Sequence, residues 1–424
     1  MRTSTGDLRP LLLVEAATLM SGMGNGIALV TLPWIVLELT GEATSAGIVA
    51  TATALPLVVS SVFSGTVVDL LGRRATAMAS DMASALTVAA IPVLDMTVGL
   101  SVPAVAALAA LGAVFDPAGV TARESMLPDA ALHAGLRLQR ANGIHEAVWG
   151  IAFLVGPGVG GLLIALVGAS TTMWATAAGF AGAVLLIAAA RVPASGRPRR
   201  HDRPAGLLQG TFDGLRFFWS DRLLRVLGLV SMVIVALYLP IEGVLLPTWF
   251  QEQGAPQHLG AVVMGLSVGG IIGALGYGQW GGRVGRRTVY LTALVGTAIA
   301  LVAMATLPPT PLLITAAVAI GVLYGPIQPL VNLAAQTRTP PRLRGRVIGV
   351  LVAAEYAAGP VGYLTAGPAV DAFGIRPTFM GLAVALLVVA LGTLLLPSLR
   401  LLAGLPDAPP DTADDLPAPD TLRP

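Results

Sequence analysis

Long apolar runs alternate along this chain with short gaps that hold nearly all of its arginines. The chain has 25 lysines and arginines together, and every one is arginine. Twelve apolar segments can be drawn between the charge clusters, and only Arg376 then falls on the opposite side from the other arginines. A bilayer imposes this pattern, because cytoplasmic loops collect positive charge and translocated loops do not. The composition agrees: 11% of residues are charged, where a soluble chain carries about 25%. A β-barrel would show alternating segments of about ten residues, which the sequence lacks. With no cysteine, disulfides and thiolate metal sites are excluded. The pI near 9.3 would also suit a nucleic-acid binder. The arginines lie in short loops beside apolar spans, so topology accounts for them and no nucleic-acid partner is expected.

The spans are expected at 11–38, 44–69, 76–95, 101–122, 142–167, 170–190, 224–250, 259–281, 288–307, 310–336, 346–370 and 376–397. Cytoplasmic gaps then hold Arg73 and Arg74, next Arg123, Arg137 and Arg140, and then Arg191 through Arg225. Arg283, Arg286 and Arg287 follow, and finally Arg338, Arg342, Arg344 and Arg346. External gaps hold Glu38, Glu42, Asp95, Glu252 and Asp371. The first apolar run is too long for a signal-peptide core. It is expected to remain as an uncleaved span, with both termini cytoplasmic in a bacterial inner membrane.

Four regions follow: a six-helix half (1–190), a linker (191–223), a second six-helix half (224–399) and a tail (400–424). The linker begins Arg/Pro-rich and continues into TFDGLRFFWSDR, which could form an amphipathic helix on the membrane surface. The Pro/Asp-rich tail lacks the apolar content to fold and is expected to be disordered. The halves repeat. Gly65-xxx-Asp69-xx-Gly72-Arg73-Arg74 recurs from Gly278 to Arg287, 213 residues later. Gly112 through Pro117 recurs as Gly321 through Pro326, and Gly156-Pro157 as Gly359-Pro360. A duplicated six-span unit marks a secondary transporter with its site between two halves.

The motif GTVVDLLGRR resembles the signature loop of the major facilitator superfamily, and WGIAFLVGPGVGG the span-5 motif of its drug/proton antiporters. TMWATAAGF, ALYLPIEGVLLP, YGPIQP, QTRTPPRLRGRVIGV and YAAGPVGYLTAGP are similar to actinobacterial Tap-type multidrug efflux proteins. The resemblance covers all but the tail. It implies an all-α, twelve-span fold in two pseudo-symmetric halves, working as a proton-coupled exporter by alternating access. It also implies small-molecule drugs as substrates, tetracyclines or aminoglycosides among them. The proton is the coupling ion, no other cofactor is expected, and the chain is expected to act as a monomer. The span-1 position that looks acidic in Tap-type proteins is Asn25 here. Export of an endogenous lipid or metabolite is a second reading, and a non-transporting receptor or scaffold a third. The four histidines show no metal-ligand spacing, and no phosphate-cradling Walker sequence is present.

In the resembled family the loop motif latches the cytoplasmic ends of the two halves, so Gly65, Asp69, Gly72, Arg73 and Arg74 are candidate gate residues. The alternative is that both arginines only set topology. Small residues let membrane helices approach closely, and Gly156, Pro157 and Gly160 on span 5, with Gly265, Gly269 and Gly273 on span 8, follow that spacing. The resembled fold brings spans 5 and 8 together, so these glycines are expected to form a sliding surface.

An ionised acid inside a bilayer is costly and is a functional candidate by default. Glu242, Glu355 and Asp116 lie deep in their spans, and Glu15 and Glu146 nearer the cytoplasmic ends. These five are the candidate proton-coupling residues; the alternative for Glu242 is a hydrogen bond to a neighbouring helix, and Glu15 could instead reach the cytoplasmic interface. Asp116, seven residues before Arg123, has the spacing of an ion pair along one helix face. Ser231, Tyr238, Glu242 and Trp249 are spaced to share one face of span 7. Glu15, Thr18, Gly22 and Asn25 do so on span 1, and Tyr324, Gln328, Asn332 and Gln336 on span 10. Spans 1, 4, 7 and 10 line the central cavity in the resembled fold. Asn25, Tyr238, Trp249, Tyr324, Gln328 and Asn332 are therefore candidate cavity residues, with interhelical hydrogen bonding as the alternative.

Overall fold

The computed structural model describes residues 6–136, 138–190, 192, 215–280, 284–340 and 343–405. It is all-α. In lipid every backbone N–H and C=O must find a partner inside the protein, and a helix provides this within one segment. Six helices come first: α1 (Arg9–Thr40), α2 (Ala43–Leu71), α3 (Arg73–Thr97), α4 (Val102–His133), α5 (Leu138–Val167) and α6 (Ala169–Ala189). Next come α7 (Arg222–Pro240), a π-helical turn (Ile241–Leu245), α8 (Leu246–Glu252), α9 (Pro256–Trp280) and α10 (Arg286–Ala305). The last are α11 (Thr310–Tyr324), α12 (Ile327–Arg338), α13 (Arg344–Phe373) and α14 (Ile375–Thr393), followed by a 3-10 helix (Pro397–Gly404).

Among the described residues, eleven helical segments are long and apolar enough to cross a membrane. Each falls on an expected span. α7, the π turn and α8 together make one of them, as do α11 and α12. The expected span not among the eleven, 346–370, lies within α13. At 30 residues α13 reaches about 45 Å at 1.5 Å per residue, beyond the roughly 30 Å hydrocarbon core.

Two spans differ from expectation. α4 continues to His133, which places Arg123 inside a helix and not in a loop. Span 7 is not one regular helix. Pro240 cannot donate to the ladder, and the chain passes through the wide turn Ile241–Leu245 directly after it. Such turns cluster at functional sites.

The chain forms two compact units. One comprises Met1–Arg203, Glu242–Met264 and Tyr363–Ala372; the other comprises Pro204–Ile241, Gly265–Gly362 and Phe373–Pro424. In the first, α1 packs on α5 and α6, α2 on α4, and α3 on α4 and α6. In the second, α10 packs on α11 and α14, and α14 on α7. Of the expected amphipathic helix, residues 211–214 lie outside the described residues. Its end, 215–220, is helical, and Phe218 is buried there against Gly228 of α7.

Candidate functional site

The first unit holds three buried or half-buried polar clusters. The deepest is Arg123, 1% exposed, against Asp81, 2% exposed. One terminal nitrogen of Arg123 donates to both Asp81 oxygens at 2.8 and 2.7 Å, and the other to Ser21 Oγ at 3.1 Å. Ser21 also donates to Asp81 at 3.0 Å, which closes a ring across α1, α3 and α4. The expected Asp116–Arg123 pair therefore does not form. Gly119 explains the choice: a methyl there would meet Ser80 Oγ at 2.5 Å. Its absence lets α3 press against α4 and deliver Asp81 to Arg123.

Asp116 instead accepts from Asn25 Nδ2 at 3.1 Å, so the departure in span 1 sits directly on the span-4 acid. Both residues are half-buried. The third cluster was legible only in part. Glu15 does not reach an interface but is 4% exposed. Both its oxygens lie 3.2 Å from His145 Nδ1, and Trp149 Nε1 donates to His145 Nε2 at 3.1 Å. His145 was missed because the histidines were weighed only as metal ligands. The signal available was the spacing of His145 and Trp149, one turn apart on span 5 beside Glu146. Glu146 itself is exposed.

In the second unit the Ser231 hydroxyl donates to Glu355, joining spans 7 and 11. Tyr238 and Tyr324 stack with ring centroids 6.3 Å apart and planes 6° from parallel, joining spans 7 and 10. On span 10, Gln328 Nε2 donates to Asn332 at 3.4 Å. The expected four-residue face of span 7 is interrupted by the wide turn. Ser231 and Tyr238 precede it, Glu242 lies within it and Trp249 follows it. Glu242 and Trp249 are half-buried. Within the first unit, Glu242 lies close enough to Tyr363 to act on its charge, and the Tyr363 ring packs over Gly243.

The loop motif is held by its own unit. Gly72 links α2 to α3 at φ +89°, a conformation that suits glycine because side chains clash there. Arg73 donates to Asp129 of α4 at 2.6 Å. Arg74 donates to the Ile187 carbonyl at 3.3 Å and to the Ala188 carbonyl, closing the C-terminal end of α6. Free carbonyls at a helix end favour a cation. Gly65 has open space around it, and the Asp69 side chain lies outside the described residues. In the second copy Arg286 donates to the Leu405 carbonyl.

The expected sliding surface is corrected. Gly156 and Gly160 pack on α1 at Gly26 and Ile27, not on span 8. Gly265, Gly269 and Gly273 pack on α11, not on span 5. The small residues at which α5 and α9 meet are Gly158, Gly161 and Gly260, all in the first unit. A methyl on Gly161 would lie 2.5 Å from the Pro256 carbonyl oxygen, and one on Gly260 2.6 Å from that of Pro157. The glycine stripe was legible, but which face met which helix was not.

Helices of membrane length, with buried acids paired across them and glycines at their crossings, mark a multi-pass membrane protein. The chain belongs to the Major Facilitator Superfamily, which it matches over residues 15–362 and 241–423. It is 46% identical over 394 residues to the multidrug efflux pump Tap of Mycolicibacterium fortuitum, covering 92% of this chain and 96% of that protein. It is 45% identical over 402 residues to the pump of the same name from Mycobacterium tuberculosis H37Rv, covering 94% and 96%. The crystal structure of the nucleoside transporter NupG shares the fold. Its TM-score is 0.74 at 15% identity, over 91% of this chain and 98% of that one.

Proposed function

We propose that this chain exports structurally varied drugs across a bacterial inner membrane, coupled to inward proton flow, by alternating access. Both termini then lie in the cytoplasm, as the arginine distribution favours, and the chain acts as a monomer. The observation that carries the reading is identity of 45–46% with Tap efflux pumps over more than nine-tenths of the chain. Tetracyclines and aminoglycosides are the first substrates to test. Asn25–Asp116 and Ser231–Glu355 are the candidate coupling pairs, with Glu242 at the π turn and Glu15 on His145. The stacked pair Tyr238 and Tyr324 suits an organic cation, because aromatic faces attract cations.

The cycle follows from the acids. A proton entering from outside binds one of them, substrate leaves outward, and the protonated carrier returns to face the cytoplasm. Purified protein in proteoliposomes, loaded with drug and given an imposed pH gradient, tests this. Asp116→Asn, Glu242→Gln and Glu355→Gln are measured singly beside wild type. Gradient-driven efflux that at least one variant loses supports the reading; three variants with full coupling overturn the site assignment. Unchanged drug susceptibility of cells with and without the protein overturns drug export itself.

A further inference from the structure

His145 sits between one donor and one acid, and that placement fixes where its proton lies. The Trp149 indole N–H donates to Nε2 at 3.1 Å. Indole nitrogen only donates, so Nε2 presents its lone pair and the ring proton is on Nδ1. Nδ1 meets both Glu15 oxygens at 3.2 Å, and they accept its hydrogen bond. The tautomer is thus assigned from its neighbours. His145 is 6% exposed. The other charged groups facing the ring are Glu124 of α4 and Glu146 of α5 itself. α6, also packed on α5, carries no titratable side chain. Arg140, more than a turn earlier on α5, is exposed. The glycine contacts of α9 with α5 lie at Gly158 and Gly161, more than three turns away.

We propose that His145 is a proton-operated switch that releases Trp149. A proton from water forms an N–H bond at the Nε2 lone pair, and the Trp149 N–H···Nε2 hydrogen bond breaks, because two donors now face each other. The O–H bond of the hydronium ion that delivers the proton breaks and leaves water, and the Glu15–His145 pair gains one positive charge while Nδ1 keeps its hydrogen bond to Glu15. Trp149 is then held by ring contacts: it stacks on Phe153 with centroids 5.7 Å apart. It also lies against Gly22 of α1, where an added methyl would be 3.2 Å from its ring. Gly22 is one turn from Asn25, whose amide holds Asp116. A proton on α5 thereby loosens packing on the helix that holds the span-4 acid. The switch's role in transport rests on the proton-coupled reading above; the switch itself does not.

The test reads both. Full-length protein in micelles is labelled with ¹⁵N in its four histidine rings and titrated by NMR, with His145→Gln assigning the signal. Wild type is expected to show the Nδ1–H tautomer at alkaline pH and to titrate on acidification. Trp149→Phe, which removes the donor but keeps the bulk, is expected to raise the midpoint by about half a unit or more. In proteoliposomes, His145→Gln keeps an acceptor that does not titrate, and it is expected to flatten the pH dependence of efflux. An Nε2–H tautomer in wild type, or an unmoved midpoint in Trp149→Phe, overturns the switch. A wild-type pH profile in His145→Gln overturns its role in coupling. If the rings titrate as expected but efflux ignores the proton gradient, the coupled reading fails while the release of Trp149 stands.

Discussion

The carboxylate of Asp371 accepts the backbone amide of Ala43 at 2.9 Å, across 328 residues of chain. Its other oxygen accepts the Thr44 amide at 2.8 Å. These are the first two amides of α2, orphan donors of a helix start, and the Glu42 side chain at the N-cap position accepts from the Ser45 hydroxyl and not from either amide. Span 11 therefore caps span 2 within the first unit, at the end expected to face outside. Gly47 and Gly367 permit the approach: a methyl on either would meet backbone of the other segment at 2.5 to 2.7 Å.

The pH dependence of this cap has a definite sign. Partial burial pushes the Asp371 carboxyl up, but the Thr44 hydroxyl and the two amides outweigh it and hold the group below the ordinary aspartate value of 3.8. A lowered carboxyl contributes stability that is fully present above the ordinary value and lost as pH falls through the lowered one. Acidity at the cell surface thus leaves the cap closed. Asp371→Asn is expected to cost about 1 kcal/mol, as loss of a helix cap does. The hydrogen-exchange protection factor at the start of α2 should be lower in the variant and, in wild type, constant from pH 5 to 8.

The Asp81–Arg123 pair gives a stability prediction. Removing one partner of a buried pair strands a charge and costs about 3–5 kcal/mol, whereas replacing both by apolar groups is near neutral. Asp81→Ala is expected to lower the melting temperature in detergent steeply. The double variant Asp81→Leu with Arg123→Met should recover most of the loss. A double variant no better than the single one would assign the pair a role beyond neutralising charge.

These residues mark how far the sequence could be read. The spans were legible because a bilayer demands long apolar runs, and the polar stripes because lipid excludes them. Partner choice was not. Asp116 was the partner its spacing offered Arg123, but Asp81 takes the place, and the decision rests on Gly119, one small residue whose effect appears only when α3 docks. Span 7 was expected as one regular helix, and the π turn after Pro240 that carries Glu242 was not read. His145 carried no motif; its meaning comes from Glu15 and Trp149, which reach it from 130 residues away and from one helical turn.

The stacked tyrosines make a binding prediction. If Tyr238 and Tyr324 receive a cationic drug, Tyr324→Ala should weaken binding by about 0.5–2 kcal/mol, the range for cation–π contacts. Tyr324→Phe keeps the ring and should stay near wild type. Fluorescence titration with a cationic and an uncharged substrate separates the cases: the alanine variant should lose affinity mainly for the cation.

The crossing of α5 and α9 gives the sharpest mutational contrast. Gly161 faces the Pro256 carbonyl, a backbone atom that cannot rotate away as a side-chain tip can. Overpacking of this kind costs about 1–3 kcal/mol, and a difference near 1.4 kcal/mol shifts a two-state population tenfold. A methyl on Gly270, in the next stretch of α9, would meet nothing within 4 Å, so alanine there should be tolerated. Gly161→Ala is accordingly expected to reduce efflux several-fold at matched expression, and Gly270→Ala to leave it unchanged. Because the clash is with the crossing as seen here, Gly161→Ala should also speed modification of a cysteine placed at Pro256. The chain has no native cysteine, so that label reports the crossing alone. Slow efflux without faster labelling would place the defect elsewhere than at the α5–α9 contact.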